Sequence, residues 1–416
     1  MTTTTRLWDD VLAEDGDIGY NLGTFRSVPP EQTLARIRPL LPRAGITRLA
    51  DVTRLDWVGL PVYQAIRPNS RNLSVSQGKG LTPALAQASA LMESLEGYHA
   101  ERINQPSAVA TVAEMRGELA YDPYALPVVK KADTSLPREP DYDPYAPPVG
   151  LPCHLSDESP VEWVSAVDLM TGKPTWVPRQ LCELDYCVEQ RVCSPLFRAS
   201  SNGLASGNTV VEALIHGLCE VVERDALWRA AGAHQSHARC IDPATVLSDE
   251  AQGVMTRFQR AGMRTHIVDM TGPTGLPTFE VLLDHPDSAT HYLGSGCHPD
   301  RATALLRALT ESAQSRLGHI AGSRDDLRRR SYGDGASLAP TLPREAPLAA
   351  EPRGRFESVP TIPPTDLKST LGSLVARVFA ATGMSPMAVD LRRPDFELPV
   401  TFVVAPGLGV NPPRRG

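Results

Sequence analysis

Residues 202–225 read NGLASGNTVVEALIHGLCEVVERD, and this segment decides how the rest of the chain is interpreted. Its small residues predict a loop, after which Asn208 or Thr209 is a suitable N-cap for a helix that extends to about Trp228. The apolar face of this helix consists of Val211, Leu214, Ile215, Leu218, Val221 and Val222. Three glutamates lie on the remaining arc, with Arg224 further round: Glu212, Glu220 and Glu223. Carboxylates on a helix that follows a small-residue loop suggest a site.

A second helix of this kind is predicted after residues 74–80, which read SVSQGKG and look like another small-residue loop. Thr82 is a plausible cap, and Pro83 suits the first helical position. Three side chains fall on one stripe beside the apolar face: Ser89, Glu93 and Glu96. Two carboxylates there could hold a hard cation, and the Gly-Lys-Gly sequence around Lys79 could offer N–H groups and an ammonium to phosphate. The Walker A spacing is absent, and solvated surface glutamates remain the alternative.

The third helix is predicted over residues 301–317. Arg307, Glu311 and Gln314 share one face at i, i+4 and i+7, whereas Arg316 points elsewhere on an ideal helix. Taken alone, such a pair of charges is usually a surface salt bridge of small worth. Three helices that each carry carboxylates to one side suit a nucleotide whose phosphates need divalent cations and basic side chains.

The composition limits the classes of function. The chain has 416 residues, a net charge of -7 and 42% hydrophobic residues, which is typical of a folded protein without general affinity for nucleic acid or anionic lipid. It shows neither a signal peptide nor an apolar run long enough for a membrane span, so we expect a cytoplasmic protein. Seven cysteines suggest reduced thiols; Cys182, Cys187 and Cys193 are a weaker candidate for a metal site because they lack Cys-x-x-Cys spacing.

The chain divides by pattern into an N-terminal segment (1–45), a main domain (46–410) and a short tail (411–416). The main domain contains two loop-rich excursions, at about 105–160 and 322–364; the second includes Arg328-Arg329-Arg330. Residues 46–58 and 61–66 are predicted to form short strand-like pieces broken by turns. Clusters of β-branched and apolar residues predict further strands at 161–167, 265–270, 278–283 and 400–404.

The three helical segments resemble the YcaO family. The resemblance lies in SQGKG at 76–80 with SALMESLE at 89–96, in NGLASGN at 202–208 with EVVERD at 220–225, and in RALTESAQSR at 307–316. The motifs occur in the family's order, and the likeness spans about residues 46 to 410. It implies a large mixed α/β (α+β) fold with an ATP site lined by glutamate-bearing helices.

The resemblance also implies ATP and Mg2+ as cofactors and assigns the site residues. The implied metal ligands are Glu93, Glu96, Glu220 and Glu223. The implied nucleotide ligands are Ser76, Lys79, Ser89, Asn208, Glu212, Arg224, Glu311, Gln314 and Arg316. The family motif favours Arg316 for the last basic position, whereas the helix face favours Arg307.

Enzymes of the family that the chain resembles use ATP to phosphorylate a peptide amide oxygen. A sulfide, a side-chain nucleophile or an amine then gives a thioamide, an azoline or an amidine. The end of the chain lacks the alternating-proline tail linked to cyclodehydration, and no fused leader-binding domain is evident, so we expect a stand-alone member acting with a TfuA-type or leader-binding partner. A homodimer is compatible with this prediction. The competing hypotheses are an ATP-dependent ligase or adenylating enzyme, and an inactive peptide-binding scaffold.

Overall fold

A computed structural model describes residues 3–128, 155–186, 196–232, 239–285, 291–324 and 354–409. The helices are α1 (Thr3–Ala13), α2 (Pro30–Ile37), α3 (Pro83–Ala100), α4 (Val112–Met115), α5 (Arg179–Cys182), α6 (Val210–Gly232), α7 (Asp249–Arg260), α8 (Arg301–Ala321) and α9 (Leu367–Thr382). Short 3-10 turns occur at Arg38–Leu40, Thr53–Leu55, Pro123–Ala125, Pro243–Thr245 and Phe356–Ser358. Within these ranges no helix combines the length and apolar character needed to cross a membrane.

The strands are β1 (Arg48–Asp51), β2 (Val62–Ile66), β3 (Val75–Lys79), β4 (Ser107–Thr111), β5 (Pro160–Asp168), β6 (Pro174–Pro178), β7 (Leu204–Ser206), β8 (Arg239–Ile241), β9 (Arg264–Asp269), β10 (Thr278–Asp284), β11 (Tyr292–Cys297), β12 (Met387–Asp390) and β13 (Val400–Val404). Among the described residues they form antiparallel sheets in the orders β1-β2-β3, β11-β10-β9-β8 and β4-β5-β12-β13-β7, with β6 beside β5. The predicted mixed fold is confirmed.

The three long helices connect these sheets to one another. Helix α3 packs on β2 and β3 and also contacts β7; α6 packs on β7 and β13 and also contacts β11; α8 packs on β10 and β11 and also contacts β3. Strands β3, β7 and β11 each lie at one end of their sheet in the described structure. An edge strand retains N–H groups that no neighbouring strand uses. The helices therefore bring three sheet edges toward one region.

Local sequence explains how α3 is positioned. The Thr82 hydroxyl accepts a hydrogen bond from the Leu85 N–H, and Pro83 begins the helix, as predicted. Gly78 allows β3 to lie directly against the helix, because a Cβ there would lie 2.7 Å from the Ala90 Cα.

Helix α6 begins as predicted after Thr209, whose hydroxyl accepts from the Glu212 N–H. Helix α8 continues beyond its predicted end, and Gly322 closes it in the left-handed conformation.

Two predicted loops proved to be partly strand. Residues 75–79, read as a small-residue loop, form β3, and 204–206 form β7. Strand β3 contains a glycine, which is disfavoured in strands, and β7 has only three residues, but the two strands pack against α3 and α6 respectively. Residues 46–58, predicted as strand-like pieces broken by turns, contain strand β1 at Arg48–Asp51 and a 3-10 turn at Thr53–Leu55.

The remaining predictions on organisation have mixed outcomes. The first excursion contains β4 and α4, while 129–154 lie outside the described residues, as do 325–353 of the second excursion and the tail. Cys182 is fully buried, and Cys187 and Cys193 lie outside the described ranges. The boundary at 45/46 stays a prediction; α1 and α2 of the N-terminal segment contact α6 and α3 respectively.

Candidate nucleotide and magnesium site

Four glutamates line the region where the sheet edges converge; we call Glu93, Glu96, Glu220 and Glu223 the acidic row. Two of them accept a hydrogen bond from the backbone of an edge strand: Glu96 from Ser206 on β7, and Glu223 from Cys297 on β11. The backbones of Gln77 on β3 and of Gly203, immediately before β7, lower the pKa of Glu93 and Glu220 against the larger effect of burial. The free N–H groups of two sheet edges thus orient Glu96 and Glu223.

Glu96 lies in the middle of the acidic row. Burial raises its pKa to about 8, and the negative charges of Glu93 and Glu220 act in the same direction. Ser206 opposes this shift, because its hydroxyl and its N–H donate to Glu96 Oε1 at 2.6 and 2.8 Å. A carboxyl with such a pKa binds a proton near neutral pH unless a cation compensates its charge.

The neighbouring carboxyls are perturbed in the same direction. Burial raises the pKa of Glu220 to about 7; the Arg224 guanidinium, 3.6 Å away, lowers it, and Glu223 raises it. Burial also raises the pKa of Glu93. Carboxylates gathered with insufficient positive charge cost free energy, which a divalent cation would recover. The donor set of the acidic row therefore fits Mg2+, a hard cation that prefers oxygen ligands.

The acidic row is extended rather than a closed cage. Within the described ranges, no set of three or more His, Cys, Asp or Glu side chains is close enough to hold a metal ion by itself. Mg2+ usually takes only one or two carboxylates and completes its shell with water and substrate phosphates. Pairs of neighbouring glutamates together with nucleotide phosphates match that preference better than an all-protein site.

Lys79 and Glu311 form an ion pair beside the acidic row. Lys79 Nζ lies 2.7 Å from Glu311 Oε2, and the two side chains are 23% and 30% exposed. Burial acts to raise the pKa of Glu311, but the charges of Lys79 and Arg224 lower it overall. The ammonium at the end of β3 is partly exposed and therefore accessible to a ligand phosphate.

The guanidinium groups of Arg307 and Arg26 add positive charge to the site. Arg307 makes no hydrogen bond or ion pair with another residue of the described ranges, yet its charge acts on Glu220. Burial, followed by the charges of Arg307 and Arg26, lowers the pKa of His298 to about 3. An uncommitted guanidinium beside recessed carboxylates is suited to a polyphosphate.

Glu212 and Asn208 lie at the start of α6 and are already hydrogen-bonded. Glu212 is 1% exposed and accepts from both the N–H and the hydroxyl of Ser27 at 2.6 Å. It also accepts from the Asn208 N–H at 3.0 Å, while Asn208 Oδ1 accepts from Thr33. These contacts attach the N-terminal segment to α6. A direct contact of Glu212 or Asn208 with the nucleotide stays a prediction.

Arg316 points away from the acidic row. Its guanidinium pairs with Asp56, with Nε and Oδ2 2.7 Å apart, and lies over the Tyr292 ring. Arg307 rather than Arg316 thus faces the site, as the helix periodicity indicates. Gln314 faces β3, where its Nε2 donates to the Gln77 carbonyl at 3.3 Å.

Ser76 and Ser89, which the resemblance assigns to the nucleotide, lie within the first motif. Ser76 is buried within β3, and Ser89 is half-buried on α3. Their contact with nucleotide stays a prediction.

Sequence reasoning missed three residues that contribute to this arrangement. Arg26 comes from the N-terminal segment and lies 3.4 Å from Glu212, and no local motif marks it. Ser206 lies within the NGLASGN motif, whose small residues predict only a loop. Ser295 on β11 binds Glu223, and its flanking glycines, Gly294 and Gly296, were a signal for close backbone packing.

The sequence matches the profile of the YcaO cyclodehydratase family, described as ATP- and Mg2+-binding, over residues 77–409. A curated relative from Rhizobium leguminosarum bv. trifolii, named as an uncharacterized protein in the tfuA 3' region, is 38% identical over 406 residues, covering 93% of this chain and 89% of its own.

Solved structures share the fold. YcaO from Methanopyrus kandleri, bound with AMPPCP and Mg2+, matches with a TM-score of 0.68 and 24% identity, covering 96% of this chain and 99% of its own. A heterocyclase in complex with substrate and cofactor matches with a TM-score of 0.77 and 23% identity over 95% of this chain. The chain spans about half the length of that heterocyclase, 54%.

Profile, relative and fold agree with the glutamate-lined geometry. ATP and Mg2+ are the cofactors. The chain belongs to the YcaO family.

Proposed function

We propose that the chain uses ATP to phosphorylate a backbone amide oxygen of a ribosomally made peptide during its maturation. The family description supports ATP-dependent peptide modification in general. The observation that carries the proposal is the acidic row beside Lys79, Arg224 and Arg307, since recessed carboxylates and basic groups together suit a magnesium-bound triphosphate. This arrangement suits phosphoryl transfer, which depends mainly on positioning and charge neutralisation.

The proposed residues have distinct tasks. The acidic row would hold Mg2+, which neutralises phosphate charge when bound. Lys79, Arg224 and Arg307 would hold the remaining phosphate charge.

We propose a thioamide as the product, in preference to an azoline or amidine. The supporting observation is the name of the Rhizobium relative, which places that protein beside tfuA. The chemistry balances: an amide, hydrogen sulfide and ATP give a thioamide, ADP and phosphate, with the amide oxygen leaving on the phosphate. A TfuA-type partner would assist this step, in the cytoplasm where ATP is available.

Mass spectrometry of a peptide encoded near the gene tests the proposal. The peptide is incubated with the protein, ATP, Mg2+ and sulfide, with and without the TfuA-type partner. Exchange of oxygen for sulfur is expected; loss of water would indicate an azoline instead. Release of ADP and phosphate is expected, whereas AMP and pyrophosphate would indicate adenylation, and no peptide-dependent turnover would indicate a binding scaffold.

A further inference from the structure

Strand β11 has an unusual sequence for the edge of a sheet, with Ser295 between Gly294 and Gly296. A Cβ on Gly296 would lie 2.8 Å from the Arg307 Cβ and would also clash with the α8 backbone. The glycines therefore let α8 lie directly on the strand. Because β11 is the edge strand of its sheet, its outward N–H groups are available to side chains.

Ser295 joins two helices through their carboxylates. Its hydroxyl lies 2.7 Å from Glu223 Oε1 on α6 and 3.3 Å from Glu311 Oε1 on α8. The Cys297 N–H donates to the second oxygen of Glu223 at 3.1 Å. Both oxygens of Glu223 are thus oriented by β11, and the residues involved are at least nine-tenths buried: Ser295, Cys297 and Glu223. Since a hydroxyl has a single proton, the shorter contact indicates donation to Glu223.

Ser206 repeats the arrangement on another sheet. Strand β7 is the edge of its sheet, Ser206 is 3% exposed, and both its hydroxyl and its N–H donate to Glu96. In both places a serine on an edge strand supplies a hydroxyl, and the backbone of the same strand an N–H, to a glutamate of the acidic row. The two sites lie on different sheets, so the repetition does not follow from a shared local segment.

We propose that Ser295 and Ser206 are positioning residues that orient Glu223 and Glu96 for Mg2+, a role that rests on the proposed function. The hydroxyls hold each carboxylate in one rotamer before the metal arrives, and hydrogen bonds to a ligand carboxylate commonly change metal affinity 10- to 100-fold when removed. Neither serine needs to contact the nucleotide or the peptide. Their effect passes through the glutamates.

Binding of Mn2+, as a spectroscopic substitute for Mg2+, tests this role in the full chain with a non-hydrolysable ATP analogue. Ser295→Ala and Ser206→Ala are each expected to raise the Kd for Mn2+ by about 10-fold or more. Ser295→Thr, which keeps the hydroxyl, should restore most of the affinity. Ser312→Ala is the matched control, because Ser312 is also buried but, within the described ranges, its hydroxyl donates only to the Leu309 carbonyl of its own helix.

The outcomes separate the two proposals. Wild-type binding of Mn2+ and analogue with unchanged affinity in Ser295→Ala and Ser206→Ala would overturn the positioning role alone. Failure of the wild-type protein to bind Mn2+ with the analogue would overturn the proposed function as well. Urea unfolding of each metal-free variant distinguishes a merely structural role, which would lower the free energy of unfolding and leave the Mn2+ affinity of the folded protein unchanged. If Ser295→Ala does not fold, Ser206→Ala decides the matter.

Discussion

Glu96, near the end of α3, and Glu101, directly after it, have opposite electrostatic environments. Glu101, 6% exposed, receives two hydrogen bonds from the Arg67 guanidinium at 2.6 and 2.9 Å and a third from the Arg71 N–H. Glu96, little more than one turn earlier, faces other carboxylates, and its pKa is raised. The first charge is compensated within the fold, whereas the second lacks compensation. Buried carboxylates without compensating positive charge mark where a ligand must supply that charge.

Removing the compensated charge should have the largest effect on stability. Glu101→Gln removes the single ionic partner that the described residues give to the Arg67 guanidinium, which is 3% exposed. We expect the free energy of unfolding to fall by roughly 3–5 kcal/mol, measured by urea unfolding. A loss under about 1 kcal/mol would remove the contrast between the two glutamates.

Removing an uncompensated charge should preserve stability and reduce activity. Glu220→Gln relieves repulsion between carboxyls, so the metal-free protein should be as stable as the wild type or more stable. Peptide-dependent release of ADP should fall by about 100- to 1000-fold, the scale seen for loss of one electrostatic contact in an active site. Unchanged ATPase activity would favour a peptide-binding scaffold.

Arg307 and Arg316 of α8 should have smaller effects on different properties, the first on ATP affinity and the second on stability. Arg307→Met should weaken ATP binding about 10-fold, or ~1.4 kcal/mol, because this guanidinium faces the acidic row. Arg316→Met should leave ATP affinity unchanged and lower stability by about 1–3 kcal/mol, because it removes the ion pair of the buried Asp56 carboxylate and leaves it the hydrogen bond from the Trp57 N–H. Calorimetric titration with a non-hydrolysable analogue measures the affinities; the opposite pattern would assign the site to Arg316.

The smallest effect expected is on pH dependence. The pKa values of Glu96 and Glu220, about 8 and about 7, are raised in the folded state, so the folded protein retains protons that the unfolded chain releases. Stability of the metal-free protein should therefore decline as pH rises through these values. Mg2+ with an ATP analogue should raise Tm more at about pH 8 than at about pH 6, because the metal competes with protons for the same carboxyls. Thermal unfolding with and without the ligands measures this, and an equal Tm increase at both values would contradict it.

The helices and most of the site were accessible from sequence, because helical periodicity places Glu93 with Glu96 and Arg307 with Glu311 on common faces. The same periodicity places Arg307 and Arg316 on different faces of α8. Strands β3 and β7 were not predicted, because the polar and small residues of β3 carry no apolar alternation and β7 has only three residues. Their strand structure depends on helices distant in sequence. Arg26 was missed for a related reason, since its contact with Glu212 spans 186 positions.

The sequence by itself determined the family, the cofactors and the helix faces that carry the acidic residues, since these depend on motifs and on a period of 3.6 residues. Only the tertiary structure decided that three sheet edges converge on the acidic row, that Ser295 and Ser206 orient two of its members, and that Glu101 is compensated while Glu96 is not. The reason is physical: hydrogen bonds from edge strands and the pKa of a recessed carboxyl depend on neighbours brought together through space, which local spacing does not encode.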